Sequence, residues 1–171
     1  MAEDCRIFIG LGSNIKPRYQ NLKKGIQMLS NNHHIWVIAK SHIYQSAAIH
    51  CNNQDAFYNM VIEIETNLNP LQLLDELKII ESRAGKKINK KKNMPRTLDL
   101  DILAIGDLLI DSKLLNVPHT KISERKFVLK PWNDIAPEFI VPNFNKNIAE
   151  LLHITNDKSS VRMVLIIDKE Y

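Results

Sequence analysis

Polar and apolar positions along this chain change period several times, and each change marks an element. Residues 57–66, FYNMVIEIET, alternate with period two, the repeat of a strand whose side chains point to opposite faces. Phe57, Asn59, Val61 and Glu63 fall on one face, and Tyr58, Met60, Ile62 and Ile64 on the other. Leu22, Ile26 and Leu29 recur at i, i+4 and i+7, which predicts an amphipathic helix. Residues 5–11, CRIFIGL, read as a buried strand running into a Gly-Ser-Asn turn at 12–14, and 35–45, IWVIAKSHIYQ, as one long strand rich in β-branched and aromatic types. Asn69 followed by Pro70 is an N-cap and first-turn pair, opening a helix to about residue 84 with Gly85 as its C-terminal cap. A further strand runs to about Ile105. Gly106-Asp107 is a turn after it, and 108–110 pairs back as a short strand. Helical segments are predicted near 122–129 and 148–152, and a last strand at 161–168. The order β-α-β-β-α-β predicts a ferredoxin-like α/β (α+β) fold with an antiparallel sheet and C-terminal additions. Its 171 residues predict a single domain, 1–171.

One strand breaks its own pattern. In PRTLDLDIL, residues 95–103, Leu98, Leu100 and Ile102 make an apolar face, yet Asp99 and Asp101 share the other. Asp is depleted in strands. Their Cα atoms lie about 6.6 Å apart, at ~3.3 Å per residue. Two unit charges at that distance repel by about 2.5 kcal/mol in a medium of dielectric ~20, and by only ~0.6 kcal/mol in open water. The pair is therefore either a solvated strand face or a set of hard oxygen ligands for one or two Mg²⁺ ions.

Charge changes the weighting. The chain carries a net +4, but KKINKKKNMPR at 86–96 holds six basic residues and no acidic one, and the remainder is near −2. The basicity is a patch beside the aspartates, suited to a local anion such as a nucleotide polyphosphate; as a structural feature alone it reads as a solvated loop. Arg can grip phosphate bidentately where Lys acts as a point charge, and Arg96 is within reach of Asp99. GLGSN at 10–14 lacks the remaining residues of a P-loop or a dinucleotide fingerprint, so Gly10 and Gly12 read as permitting a tight strand exit. Phe57 and Phe127 are either core or a sandwich for a flat heterocycle whose edge Asn59 would read. His119 and Arg125 follow a proline-fixed turn. Two cysteines, Cys5 and Cys51, offer neither a disulfide framework nor zinc spacing. The absence of a signal peptide or an apolar run long enough to span a bilayer predicts a cytoplasmic protein.

GLGSN, FYN at 57–59, PRTLDLDIL, VPH at 117–119 and ERKFVLKPWNDIAPE at 124–138 occur in an order that resembles the 6-hydroxymethyl-7,8-dihydropterin pyrophosphokinase family over nearly the whole chain. The resemblance implies an enzyme with helices on both sides of a ferredoxin-like sheet. It would move the diphosphate of ATP to a reduced pterin and release AMP, in folate biosynthesis. It also implies two Mg²⁺ ions held by Asp99 and Asp101, with Arg96 and Lys86 completing the catalytic set. Glu81, Arg96, Ile102, His119 and Arg125 would contact ATP, and Ser46, Ala47, Ile49, Phe57, Asn59 and Phe127 the pterin. The implied partners are small molecules, with no nucleic acid and no membrane, and the chain a monomer. Departures from the family pattern lie in Gly85-Lys86-Lys87-Ile88, where the family has arginines, at Asn93 in place of tryptophan, and in Ser46-Ala47-Ala48-Ile49-His50. They leave open a pterin- and ATP-binding paralog with weakened catalysis. An RNA-binding ferredoxin-like module is the other alternative, and it predicts an RNP1-like aromatic strand that no segment supplies.

Overall fold

The computed structural model describes residues 5–48, 54–85 and 94–165. Its sheet is centred on β1 (Ile7–Ser13), antiparallel to β4 (Phe57–Thr66) on one side and to β5 (Asp99–Ile105) on the other. β2 (Ile35–Lys40) and β3 (Tyr44–Ser46) share the far edge of β4, and β10 (Val161–Met163) pairs with β3. With α1 (Arg18–Ser30) and α2 (Pro70–Arg83) as the two crossovers, this is the predicted ferredoxin-like order.

The predicted long strand at 35–45 is two strands. Ser41 donates its N–H to the carbonyl of Val61 and accepts the N–H of Val61 on its hydroxyl, both at 2.9 Å. The side chain thus takes the place of a backbone partner, the chain steps off the ladder, and pairing resumes at Tyr44 opposite Asn59. Gly10 and Gly12 lie within β1, so the predicted strand exit at 12–14 is displaced to Asn14. The segment after Gly106 turns onto itself: β6 (Ile110–Asp111) pairs with β7 (Asn116–Val117), not back onto β5. The helix predicted near 122–129 is a 3₁₀ turn, Ile122–Glu124, and then α3 (Lys126–Ile135), which runs through Pro131. Of the predicted 161–168 strand, the last three residues lie outside the described residues.

The helix predicted after Asn69 begins as its sequence requires. The Asn69 side chain accepts the N–H groups of Leu71 and Gln72, and Gln72 returns a bond to the Asn69 N–H, a reciprocal capping box. α1 and α2 cover one sheet face: Leu22, Leu29, Leu73, Leu77 and Ile80 pack on Ile9, Met60, Ile62 and Ile102. The other face carries α3 and α4 (Ile148–Ile154), joined by the short pair β8 (Ile140–Val141) and β9 (Lys146–Asn147). There Trp132, Leu129 and Leu151 pack on Phe8, Val61 and Leu103. Phe8, Trp132 and Phe139 close one end of that face with ring centroids 4.7–5.7 Å apart. Among the described residues the other end, over the end of β1 and the starts of β4 and β5, is left open.

Candidate active site

Register builds the floor of the open end. Gly12 stands opposite Asp99 on β5 and Asn59 on β4, and Gly10 opposite Asp101 and Val61. All of these point to the face carrying α3, because side chains alternate along each strand. The two aspartates and Asn59 are thus two strand spacings apart, roughly 10 Å, with bare backbone between them. The result is a cavity of about 310 Å³.

On the acidic side, Arg96 forms an ion pair with Asp99. Burial works against the guanidinium charge, but Asp99, with Asp101 and Glu81 behind it, outweighs burial and raises the Arg96 pKa. The backbone around Arg96 is fixed by Asn14, which is buried at the end of β1. Asn14 accepts the Arg96 N–H on Oδ1 at 2.7 Å, donates its own N–H to the Arg96 carbonyl at 3.1 Å, and donates Nδ2 to Gln54 at 3.0 Å.

On the opposite side, Asn59 donates Nδ2 to the Ser46 hydroxyl at 2.9 Å, both groups buried. That bond turns Asn59 Oδ1 toward the space over Gly12, where an added Cβ would lie 3.4 Å from it. Phe57 and Phe127 line the same cavity from β4 and from the first turn of α3.

α3 is tied down from several directions. Asp157 accepts the Lys126 N–H at 2.8 Å at its start. Asp134 accepts the Tyr44 hydroxyl at 2.9 Å and His42 through both its backbone N–H and Nδ1. Burial first and the Asp134 carboxylate second push the Tyr44 pKa up to about 12, so the phenol stays a donor. These bonds fix Arg125 and Phe127 at the mouth, with the guanidinium 5.7 Å from the Phe127 ring centroid.

His119 reaches the cavity from the loop before the 3₁₀ turn. Its Nδ1 accepts the Lys121 N–H at 3.1 Å, which leaves the ring proton on Nε2 as a donor. Burial, and then the nearby Arg125 charge, lower its pKa to about 4, so the ring is neutral at pH 7.

Arg96, Asp99, Asp101, His119, Arg125, Ser46, Ala47, Phe57, Asn59 and Phe127 therefore meet in one cavity. Glu81 and Ile102 do not line it. Glu81 is buried on α2 and accepts the Leu100 N–H at 2.8 Å, on the outer edge of β5 between the two aspartates. The Ile102 side chain is in the core under α1 and α2, on the face opposite the aspartates. Lys86 and Ile49 lie outside the described residues. The sequence reading missed Gly10 and Gly12 as floor and Asn14 as clasp. The signal for the glycines was period two: carried back along residues 7–13, it puts both on one face of a strand.

The cavity thus has paired carboxylates on one side, the Asn59 amide with the Phe57 and Phe127 rings on the other, and Arg125 at its mouth, groups chemically suited to an anion and a flat heterocycle. The sequence pattern of the 7,8-dihydro-6-hydroxymethylpterin-pyrophosphokinase family matches residues 8–137, and the chain belongs to that family. It is 36% identical over 159 residues to the 2-amino-4-hydroxy-6-hydroxymethyldihydropteridine pyrophosphokinase of Haemophilus influenzae, covering 91% of this chain and 96% of that one. To the enzyme of the same name from Pseudomonas aeruginosa it is 36% identical over 147 residues, 86% of this chain and 90% of that one. The folic acid synthesis protein fol1 of Pneumocystis carinii is 39% identical over 144 residues, which are 84% of this chain but 19% of that protein. In structure, the chain is similar to the HPPK-DHPS of Plasmodium falciparum crystallised with pteroate. The TM-score is 0.70 at 15% identity, over 90% of this chain and 43% of that one. At that identity the likeness shows the fold, and the α+β arrangement with its antiparallel sheet is shared.

Proposed function

We propose that ATP and the reduced pterin meet in this cavity, the triphosphate over Asp99 and Asp101 and the ring between Phe57 and Phe127. The enzyme is an ATP-dependent diphosphotransferase of folate synthesis. The hydroxymethyl oxygen of 6-hydroxymethyl-7,8-dihydropterin bonds to the β-phosphorus and gives up its proton to solvent, the bond from that phosphorus to the oxygen bridging the α-phosphate breaks, and AMP leaves. The observation that supports the site assignment is the cross-strand row Asp99–Gly12–Asn59, with a carboxylate and an amide on either side of a glycine floor.

Transfer of this kind is catalysed chiefly by positioning and by charge. Arg96 exchanges Asp99 for a phosphate oxygen. Neutral His119 donates its Nε2–H to another, and Arg125 adds a cation at the mouth. Asn59 Oδ1 accepts an N–H from the pterin edge, held in aim by Ser46. Asp99 and Asp101 are the proposed ligands of Mg²⁺. Among the described residues no three His, Cys, Asp or Glu side chains gather as a closed metal cage. Two carboxylates on an open floor fit an ion that fills its shell with water and substrate phosphate, and such an ion supplies neutralisation of phosphate charge. Lys86 and Ile49 are proposed to join from the phosphate and pterin sides, and the nucleotide is proposed to lie along the edge of β5, where Glu81 and the Ile102 backbone are found.

One sheet covered on both faces by the chain's own helices supports 1–171 as one domain, and the proposed oligomeric state is a monomer. ATP as co-substrate supports a cytoplasmic location. No helix among the described residues is long and apolar enough to cross a membrane. The test is AMP formation from ATP, with and without the hydroxymethyl pterin and with and without Mg²⁺. AMP is expected only when pterin and Mg²⁺ are both present; a chain that binds the pterin and forms no AMP would overturn the assignment.

A further inference from the structure

Three of the other glycines have a reason in the fold that Gly12 lacks. Gly85 and Gly106 have φ of +98° and +47°, the left-handed region that favours glycine. At Gly25 an added Cβ would lie 2.8 Å from Leu98 Cδ2, so helix packing excludes a side chain. At Gly10 the contact would be ordinary, as at Gly12, but all three nearest atoms belong to Leu103, the nearest at 3.4 Å, in the buried layer under α3. Gly12 has neither a left-handed backbone nor a crowded site. It sits in extended β1, and an added Cβ would lie 3.4 Å from Asn59 Oδ1, 3.8 Å from Phe57 Cδ1 and 4.0 Å from Asp99 Cβ, all ordinary contact distances.

A glycine inside a strand weakens it by about 0.5–1 kcal/mol relative to alanine. The fold would accept, and gain from, a methyl group at this position. The three atoms that methyl would touch are one from the phosphate side of the cavity and two from the pterin side. We propose that Gly12 determines clearance for the reaction: its missing side chain keeps open the line along which the acceptor hydroxyl approaches the phosphorus. This rests on the function proposed above. Each ligand has its own anchors, Asp99 and Asp101 with the cations for the nucleotide, and Phe57, Phe127 and Asn59 for the ring. A methyl group between them therefore obstructs their approach more than it obstructs either ligand alone.

The test is Gly12→Ala beside wild type, with melting temperature, separate titrations of a non-hydrolysable ATP analogue with Mg²⁺ and of the pterin, and AMP formation. The expected result is an unchanged or higher melting temperature, each ligand alone bound within about threefold of wild type, and kcat lower by about 100-fold, the scale set by displacing a reacting atom by about 1 Å. The pterin should also bind at least about tenfold more weakly when the ATP analogue is already present. Gly12→Ala turning over within about threefold of wild type overturns the inference. So does a variant that fails to fold, because glycine is then a requirement of the strand and not of the reaction. Wild type that forms no AMP in the same assay brings down the proposed function and this inference with it, whereas active wild type with active Gly12→Ala brings down this inference alone.

Discussion

Asn14 Oδ1 accepts the backbone N–H of Arg96 at 2.7 Å, across 82 residues of sequence. The same side chain donates to Gln54 at 3.0 Å, so one buried amide joins the segment entering β5 to the segment entering β4. The first carries Arg96 toward the aspartates, and the second leads to Phe57 and Asn59. The two halves of the cavity are held in relation to each other at the end of the central strand.

Asn14→Ala should therefore cost stability and nucleotide affinity together. It removes the acceptor of the part-buried Arg96 N–H and one of the donors to Gln54, a loss of about 1–3 kcal/mol. Urea denaturation reads the first effect and the ATP KM the second. A variant as stable as wild type would mean that solvent replaces the clasp.

Asp99→Asn and Asp101→Asn should each lower kcat/KM by at least about 100-fold, the scale of a lost charge-stabilising group. Asp99→Asn has a second consequence, because it removes the carboxylate that holds Arg96. A Mg²⁺ titration of AMP formation checks both; undiminished Mg²⁺-dependent turnover in the two variants would remove them as metal ligands.

Stability should fall on mild acidification, in part through His119. Its pKa is about 4 in the folded chain, lowered by burial and then by Arg125, against an ordinary 6.5. As pH drops below 6.5 the unfolded chain binds this proton first, so stability is lost progressively between pH 6.5 and 4. The contribution is on the order of 1–2 kcal/mol once solvent screening of a partly exposed ring is allowed for. His119→Gln should flatten that part of the unfolding free energy measured from pH 7 to 4.5, and an unchanged slope would refute it.

Gly25→Ala should do the opposite of Gly12→Ala. Its methyl would come within 2.8 Å of the Leu98 side chain, which is fully buried and would have to shift, at a cost of about 1–3 kcal/mol. Thermal melting should show the loss, while AMP formation below the transition stays near wild type.

The sequence by itself determined the features that repeat or close within one element. Period two in residues 57–66 sorted Asn59 and Phe57 from Met60 and Ile62, because a strand's geometry allows no other division. Asn69 and Pro70 marked a helix start because the bonds that cap it are made within three residues. The aspartate pair was legible for the same local reason. Tertiary structure decided whatever depends on a partner distant in sequence. The strand at 35–45 breaks because the Ser41 hydroxyl finds Val61. The turn of α3 that carries Phe127 is fixed by Asp157 and the helix body by Asp134, through groups that no local pattern relates. Gly12 became the floor between Asp99 and Asn59 only through strand register, which is set by which strands pair and not by any one of them.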